Sequence, residues 1–280
     1  MKVYINGDFF EPQEARVSVF DHGFLYGDGI FETLRSYRGR IFRFDDHFDR
    51  LQASADKIAL PLPWKKEDCR NLLKEALQIN DCPDALLRLS LSRGEGPPGL
   101  DPALCKKPTI VVMVRPFHGY PPEDYARGVT IAVVSVRKNL TSALDAGIKS
   151  TNFLNNILAK IEAKNAAAME GVLLNQDGFL TEGTVSNLFF VSHNILCTPS
   201  TECGILEGIT RKVILELARE EKIVVHEGTF PPEALSNADE VFLTNTSYEV
   251  MPVNRVDRQS FRVGPITRRL MEAYRILTGK

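Results

Sequence analysis

Short runs of alternating apolar and polar residues fill the first third of the chain, and turn-forming pairs separate them. Asn6-Gly7 and Arg38-Gly39 each lie between two such runs, so each predicts a β-hairpin. Further along, apolar residues recur every three or four positions, which predicts helices. The elements predicted up to residue 115 are strands 3–5, 8–10, 30–37, 40–44, 86–92 and 109–115, a helix from an N-cap at Asp45, and a helix over 64–79.

Turn formers cluster again at His118–Glu123, which indicates a linker. Beyond it the pattern restarts. It predicts strands 129–136, 172–174, 179–180, 188–191, 195–198 and 241–244, a helix capped by Ser150 or Thr151, and a helix opened by Gly208. In the first of these helices one face is apolar, comprising Phe153, Leu154, Ile157, Leu158 and Ile161. Strands grouped with helices, without strict alternation, predict an α+β fold with a small N-terminal subdomain (1–119) and a larger C-terminal one (120–280).

Composition narrows the class of protein. The 280 residues include 34 Lys and Arg against 36 Asp and Glu, without a basic stripe, which argues against nucleic acid as a partner. The longest strongly apolar run, 110–114, is far too short to cross a membrane, and the first ten residues lack a signal-peptide core. Five scattered cysteines predict reduced thiols in a cytoplasmic protein, and the histidines lack metal-ligand spacing.

Three segments carry candidate chemistry. Lys149 follows a β-rich stretch and precedes a predicted helix, a setting that favours the neutral amine which Schiff-base formation needs; a surface lysine is the alternative. Glu182 lies between apolar strands, as either an exposed strand charge or the buried acid that pyridoxal phosphate chemistry places beside the pyridine nitrogen. Gly208 and Thr210 open a helix whose free N–H groups suit a phosphate, unless they form an ordinary helix start.

Six motifs, in order along essentially the whole chain, resemble the class IV pyridoxal-phosphate-dependent aminotransferases. This family includes branched-chain and D-amino-acid aminotransferases and aminodeoxychorismate lyases. The motifs are Tyr26-Gly-Asp-Gly-Ile-Phe-Glu-Thr-Leu-Arg35, His47-Phe-Asp-Arg-Leu51, Lys149-Ser-Thr-Asn152, Thr181-Glu-Gly-Thr-Val-Ser-Asn-Leu-Phe189, Leu206-Glu-Gly-Ile-Thr-Arg211 and Phe242-Leu-Thr-Asn-Thr-Ser-Tyr-Glu-Val-Met-Pro-Val253.

The resemblance implies a fold type IV enzyme, in which two α/β subdomains hold the cofactor between them and which works as a homodimer on amino acids and 2-oxo acids. It implies that Lys149 is the catalytic Schiff-base lysine and that Glu182 pairs with the pyridine nitrogen. The implied cofactor contacts are Arg50, Lys149, Glu182, Leu206, Ile209, Thr210 and Thr246. The implied substrate contacts are Tyr26, Phe31, Arg35, Arg88 and Ser247, and no metal is implied.

Within the family, branched-chain or broad L-amino-acid transfer to 2-oxoglutarate is favoured. The first motif ends in Arg35, where D-alanine transaminases have lysine, and Gly94–Leu100 lacks their Pro-Arg-x-His carboxylate trap. Against this preference, Phe153 and Leu86 stand where branched-chain enzymes have tyrosines.

Three alternatives stay open. The first is D-alanine transamination. The second is 4-amino-4-deoxychorismate lyase activity, which Thr33 matches but the residues after Lys149 do not. The third is a non-catalytic binding protein on the same fold, against which the intact Lys149 and Glu182 argue.

Overall fold

The computed structural model describes residues 1–279 and divides into two compact units. The first unit comprises Met1–His118 together with Ile148–Asn152, and the second comprises Gly119–Gly147 and the chain from Phe153 onward. The chain therefore returns to the first unit for five residues, which include Lys149.

The first unit is one antiparallel sheet with helices. Its strands are β1 (Val3–Ile5), β2 (Asp8–Phe10), β3 (Gly29–Tyr37), β4 (Arg40–Ile41), β5 (Ala85–Ser92) and β6 (Thr109–Pro116), and its helices are α1 (His22–Tyr26), α2 (Phe44–Lys57) and α3 (Lys66–Ile79). The strand order is β2-β1-β6-β5-β3-β4.

Helices α2 and α3 pack their apolar faces on one side of this sheet, where Leu34 and Leu87 are fully buried. Because side chains alternate along a strand, neighbouring residues such as Phe31 and Arg35 point to the other side. Helix α2 begins at Phe44, so the prediction that Asp45 is the N-cap is wrong. The Asp45 carboxylate instead accepts a hydrogen bond from Arg70 Nη2 (2.7 Å), which joins α2 to α3.

The second unit is a larger mixed sheet with helices. Its strands are β7 (Val129–Arg137), β8 (Glu170–Leu174), β9 (Leu180–Gly183), β10 (Asn187–Ser192), β11 (Ile195–Pro199), β12 (Val224–Gly228), β13 (Glu240–Asn245), β14 (Glu249–Val256) and β15 (Gln259–Ser260). Its helices are α4 (Pro122–Arg127), α5 (Leu154–Asn165), α6 (Ile209–Glu220), α7 (Glu233–Ser236) and α8 (Pro265–Thr278). The strand order is β12-β11-β10-β13-β14-β7-β8-β9, β15 pairs with β14, and β9 also pairs with β10 through Glu182 and Asn187.

Helix α5 connects the parallel strands β7 and β8, and it differs from the sequence expectation in two ways. Its small residues Ala159 and Ala163 are the ones buried against the sheet. The predicted apolar face is instead exposed, with 49–69% of Leu154, Ile157, Leu158 and Ile161 accessible. The expected caps are absent too, since the residue before the helix is Phe153 and the Thr151 hydroxyl donates to Gly27 O (2.8 Å).

Several elements were not predicted from the pattern. They are helix α1 before β3, helix α4 at the end of the predicted linker, strand β12 and helix α7 before the last predicted strand, and strands β14 and β15 and helix α8 after it. Across residues 1–279, no helix combines the length and apolar character that a membrane crossing requires.

Candidate active site

Lys149 lies in an extended segment that pairs with the start of β3. Its carbonyl accepts the N–H of Phe31 (3.0 Å), and its own N–H donates to Ser54 Oγ on α2 (3.2 Å). The lysine is therefore held between a strand and a helix of the first unit. The helix that follows it, α5, begins at Leu154 and belongs to the second unit.

Two cations face the ring of Phe31. Lys149 Nζ lies 4.5 Å from the ring centroid and Arg88 Cζ lies 3.7 Å from it, both within the range of cation–π attraction. Burial lowers the pKa of the Arg88 guanidinium, and within residues 1–279 no carboxylate pairs with it. A partly desolvated guanidinium beside an amine favours the approach of an anionic group.

Arg35 lies on the same side of β3 as Phe31 and is only 2% exposed. Its Cζ lies 4.9 Å from the ring centroid of Tyr37 and 4.5 Å from that of Phe117, and its Nη2 donates weakly to Phe117 O (3.4 Å). Arg35 is thus a buried cation enclosed by aromatic rings.

Tyr26, predicted to contact substrate, connects α1 to the loop after β5. Its hydroxyl accepts the N–H of Gly99 (3.0 Å), and its ring packs edge-on against His22 at 5.1 Å. The ring nitrogen Nε2 of His22 lies 3.0 Å from Pro97 O in the same loop. These two contacts hold the loop Gly94–Leu100, which lacks the Pro-Arg-x-His sequence of a carboxylate trap.

Arg50 is anchored by an acid that the sequence reasoning did not single out. Its Nε and Nη2 donate to the two carboxylate oxygens of Glu32 at 2.8 Å each, and His47 Nδ1 lies 2.7 Å from Glu32 Oε2. Burial alone raises the pKa of Glu32, but the charges and hydrogen bonds of Arg50 and His47 outweigh it and hold that pKa well below its usual range. Burial, aided by the charges of Arg50 and Lys149, lowers the pKa of His47 despite the adjacent carboxylate.

Glu182 is a buried acid and not the exposed strand charge that its sequence setting also allowed. Only 6% of it is exposed, and Leu206 N–H (3.0 Å) and Asn187 Nδ2 (3.2 Å) donate to Oε2. Lys138 Nζ lies 2.5 Å from Oε1. Lys138 was not predicted from the sequence, where its only signal is its position directly after an apolar strand.

The start of α6 adjoins this acid through the segment Leu206–Gly208. Gly208 is the N-cap and no side chain caps the helix, so the first N–H groups, at Ile209 and Thr210, remain for an anion. Asn187 Nδ2 also donates to Leu206 O (2.9 Å). A Cβ atom on Gly208 would lie 1.9 Å from Asn187 Oδ1, so the segment runs too close to Asn187 for a larger residue.

Thr246 and Ser247 lie in the turn between β13 and β14, which Asn245 organises. Asn245 Oδ1 accepts the N–H groups of Ser247 (2.8 Å) and Tyr248 (2.6 Å), and Asn245 Nδ2 donates to Val185 O (3.0 Å). The turn is thereby tied to the loop that follows Glu182.

The second unit thus joins a buried carboxylate to an uncapped helix N-terminus. This donor set fits a pyridine ring that carries a phosphate, because the acid suits the ring nitrogen and the helix end suits the phosphate. In the described residues, no group of three or more His, Cys, Asp and Glu side chains could hold a metal ion.

The chain is similar to known proteins over its whole length. The family model described as class IV amino-transferase matches residues 29–256. A Methanocaldococcus jannaschii protein with the provisional name branched-chain-amino-acid aminotransferase is 42% identical over all of this chain and 97% of its own. The D-alanine aminotransferase of Staphylococcus haemolyticus is 36% identical (98% and 96% covered), and the aminodeoxychorismate lyase of Bacillus subtilis is 35% identical (92% and 88% covered).

Solved structures of branched-chain amino acid aminotransferases are also similar to this chain. The branched-chain amino acid aminotransferase of Escherichia coli superposes with a TM-score of 0.95 at 29% identity, covering 99% of this chain and 94% of that one. Another branched-chain amino acid aminotransferase, solved with pyridoxamine 5'-phosphate, has a TM-score of 0.94 at 30% identity, with the same coverage.

Proposed function

The chain belongs to the class IV aminotransferases, and we propose that it transfers the amino group of branched-chain or a broader range of L-amino acids to 2-oxoglutarate. Its cofactor is pyridoxal 5'-phosphate. One observation carries the aminotransferase chemistry of the proposal: the buried carboxylate of Glu182 and the uncapped start of α6 are joined by one hydrogen-bonded segment.

When bound, pyridoxal phosphate supplies the carbon that accepts the amino group and a ring that delocalises the charge left on the substrate α carbon. In this proposal Glu182 holds the proton at the ring nitrogen. Ile209 and Thr210 N–H groups bind the phosphate, with Thr246 and Arg50 as further contacts, and Leu206 packs on the ring.

Lys149 is the catalytic residue of the proposal. Its amine would hold the cofactor covalently and, once the substrate amino group has displaced it, would move the proton that leaves the substrate α carbon. The hydrogen bonds of its backbone to Phe31 and Ser54 support this role, because they fix the point from which the side chain reaches.

The proposal assigns recognition of the substrate carboxylate to the side of the first unit's sheet that faces away from α2 and α3. Arg88 is desolvated without a carboxylate partner in residues 1–279, and Arg35 is buried nearby on the same side of β3, so both suit anionic groups of substrates. The ring of Phe31 contacts the cations Arg88 and Lys149, and Tyr26 and Ser247 complete the proposed substrate contacts.

D-alanine transamination is the second candidate, favoured by the 36% identity to the Staphylococcus haemolyticus enzyme. Lyase activity is favoured by the 35% identity to the Bacillus subtilis lyase. The branched-chain relative matches more residues, at 42% identity, and therefore leads the proposal.

We also propose a cytoplasmic homodimer. The exposed apolar face of α5, which comprises Leu154, Ile157, Leu158 and Ile161, is a surface of the kind that mediates association. Five free cysteines agree with a reducing compartment.

The test is the visible spectrum of the protein loaded with pyridoxal phosphate, before and after adding L-leucine or, separately, D-alanine. We expect L-leucine alone to remove the yellow band and 2-oxoglutarate to restore it, and Lys149→Ala to show no such cycle. Loss of the band with D-alanine alone would establish the second candidate. A yellow protein that responds to neither would point to the lyase, and a protein that stays colourless would point to the binding protein.

A further inference from the structure

A lysine and a glutamate form a buried ion pair in the second unit. Lys138 Nζ and Glu182 Oε1 are 2.5 Å apart, with 10% and 8% of the two side chains exposed. Lysine is seldom buried unless it is paired, because removing an ammonium from water is costly. The position of Lys138 therefore depends on Glu182, and the pair calls for a functional explanation.

The backbone of Lys138 is fixed from both sides. Its N–H donates to Leu174 O (2.8 Å) at the end of β8, and its carbonyl accepts from Gln176 Nε2 (3.1 Å). Its ammonium therefore approaches Glu182 from a rigid base.

The hydrogen bonds to the Glu182 carboxylate leave one of its acceptor sites unused. A carboxylate has about four lone-pair sites. Three donors use them here, of which the Leu206 N–H and the Asn187 amide are neutral. Lys138 is the charged donor. One site is left, enough for one further N–H donor.

We propose that Lys138 is a positioning residue that keeps Glu182 anionic and oriented, and so keeps the shared proton on the ring nitrogen of pyridoxal phosphate. This inference rests on the proposed function. The ammonium touches the carboxylate directly, so it stabilises the anion at Glu182 more than it affects any group that approaches the remaining site. No proton enters or leaves the site, since the effect is only to decide on which of two atoms one proton resides.

The experiment uses the protein loaded with pyridoxal phosphate that carries nitrogen-15 in its ring, because the nitrogen chemical shift reports protonation directly. We expect a protonated ring nitrogen in the unsubstituted protein. Lys138→Met should shift the equilibrium toward the neutral ring by at least about tenfold, and Lys138→Arg should restore the protonated signal. Lys160→Met, an exposed lysine of the same unit, is the matched control.

Kinetics provide a second readout that a merely structural role would not produce. We expect kcat to fall in Lys138→Met while the KM for the amino acid stays within about twofold, with Lys138→Arg recovering most of the rate. If Lys138→Met does not fold, Lys138→Gln keeps a neutral donor and serves in its place, with thermal melting of the apoprotein as the check.

Two outcomes separate the two proposals. An unchanged ring-nitrogen signal in a folded Lys138→Met or Lys138→Gln protein overturns the role of Lys138 and leaves the proposed function intact. An unsubstituted protein that binds no pyridoxal phosphate overturns the proposed function, and the role of Lys138 falls with it.

Discussion

The backbone N–H of Lys149 donates a hydrogen bond to the side-chain oxygen of Ser54, 95 residues earlier in the sequence, at 3.2 Å. Ser54 is fully buried. The serine lies on α2 one turn beyond Arg50, so a single helix contacts both the lysine segment and the Glu32 pair. This arrangement gives α2 a share in positioning the lysine.

We predict that Ser54→Ala weakens pyridoxal phosphate binding about tenfold, because a partly buried N–H at Lys149 is left without its acceptor. Ser36→Ala is the matched control: Ser36 is also fully buried and accepts a backbone N–H, that of Ala85, at 3.0 Å. Both variants should lose about 1–3 kcal/mol of unfolding free energy. Equilibrium titration with the cofactor checks the difference, and equal affinities in the two variants would contradict it.

Glu32 should make stability depend on pH. Because its pKa in the folded protein is held below the usual 4.5, its contribution is present above that pH and is lost as the pH falls toward the folded pKa. We predict that Glu32→Gln lowers the free energy of unfolding by about 3–5 kcal/mol at pH 7, since it leaves the charge of Arg50 buried without its carboxylate.

Urea denaturation at pH 7 and at pH 3 tests this prediction, and the gap between the two proteins should narrow at the lower pH. Asp45→Asn is the control, because Asp45 forms an exposed pair with Arg70 worth about 0–1 kcal/mol. A gap for Glu32→Gln that is equally wide at both pH values would be inconsistent with the low pKa.

Gly208→Ala should weaken pyridoxal phosphate binding. The new methyl group would meet Asn187 Oδ1 at 1.9 Å, so Asn187 or the start of α6 must move, at a cost of about 1–3 kcal/mol. Gly178→Ala serves as the control. Gly178 has a φ of +86° and open space around the position of the new Cβ atom. The substitution therefore costs only backbone strain, about 1–2 kcal/mol. Cofactor titration should show reduced affinity for the first variant alone.

The apolar face of α5 should control association. We predict that Leu158→Asp shifts the protein from dimer to monomer in sedimentation velocity, because it places a charge in a surface that would be buried in the dimer. Ile276→Asp, which changes an equally apolar and 66% exposed residue on α8, should leave the dimer intact. A dimer that persists in Leu158→Asp would exclude α5 as the interface.

The sequence predicts those parts of the fold that local rules determine. Both early hairpins form at the predicted pairs, since a two-residue turn fixes the register of its strands. Helix α5 also forms, although it begins after the predicted caps, but the exposure of its apolar face does not follow from periodicity. A period of 3.6 residues shows that one face is apolar and does not show what covers it.

The residues of the candidate site likewise divide into those that the sequence indicates and those that only the structure reveals. Lys149 and Glu182 were singled out from motifs in the sequence. Glu32 lies within the first motif but was given no role there, and Lys138 is a single charge directly after an apolar strand. Their partners come from other elements, so no spacing in the sequence connects Glu32 to Arg50 or Lys138 to Glu182. Only the tertiary structure brings these pairs together.

The five residues Ile148–Asn152 have a consequence for the order of folding during translation. A ribosome that has released only residues 1–118 has not yet supplied the segment that accepts the Phe31 N–H and donates to Ser54. The N-terminal unit is therefore incomplete until synthesis has passed residue 152, about 30 residues into the second unit. The residue proposed to react with the cofactor arrives within the segment that completes the first unit, so the nascent chain gains its reactive amine and its finished N-terminal unit together.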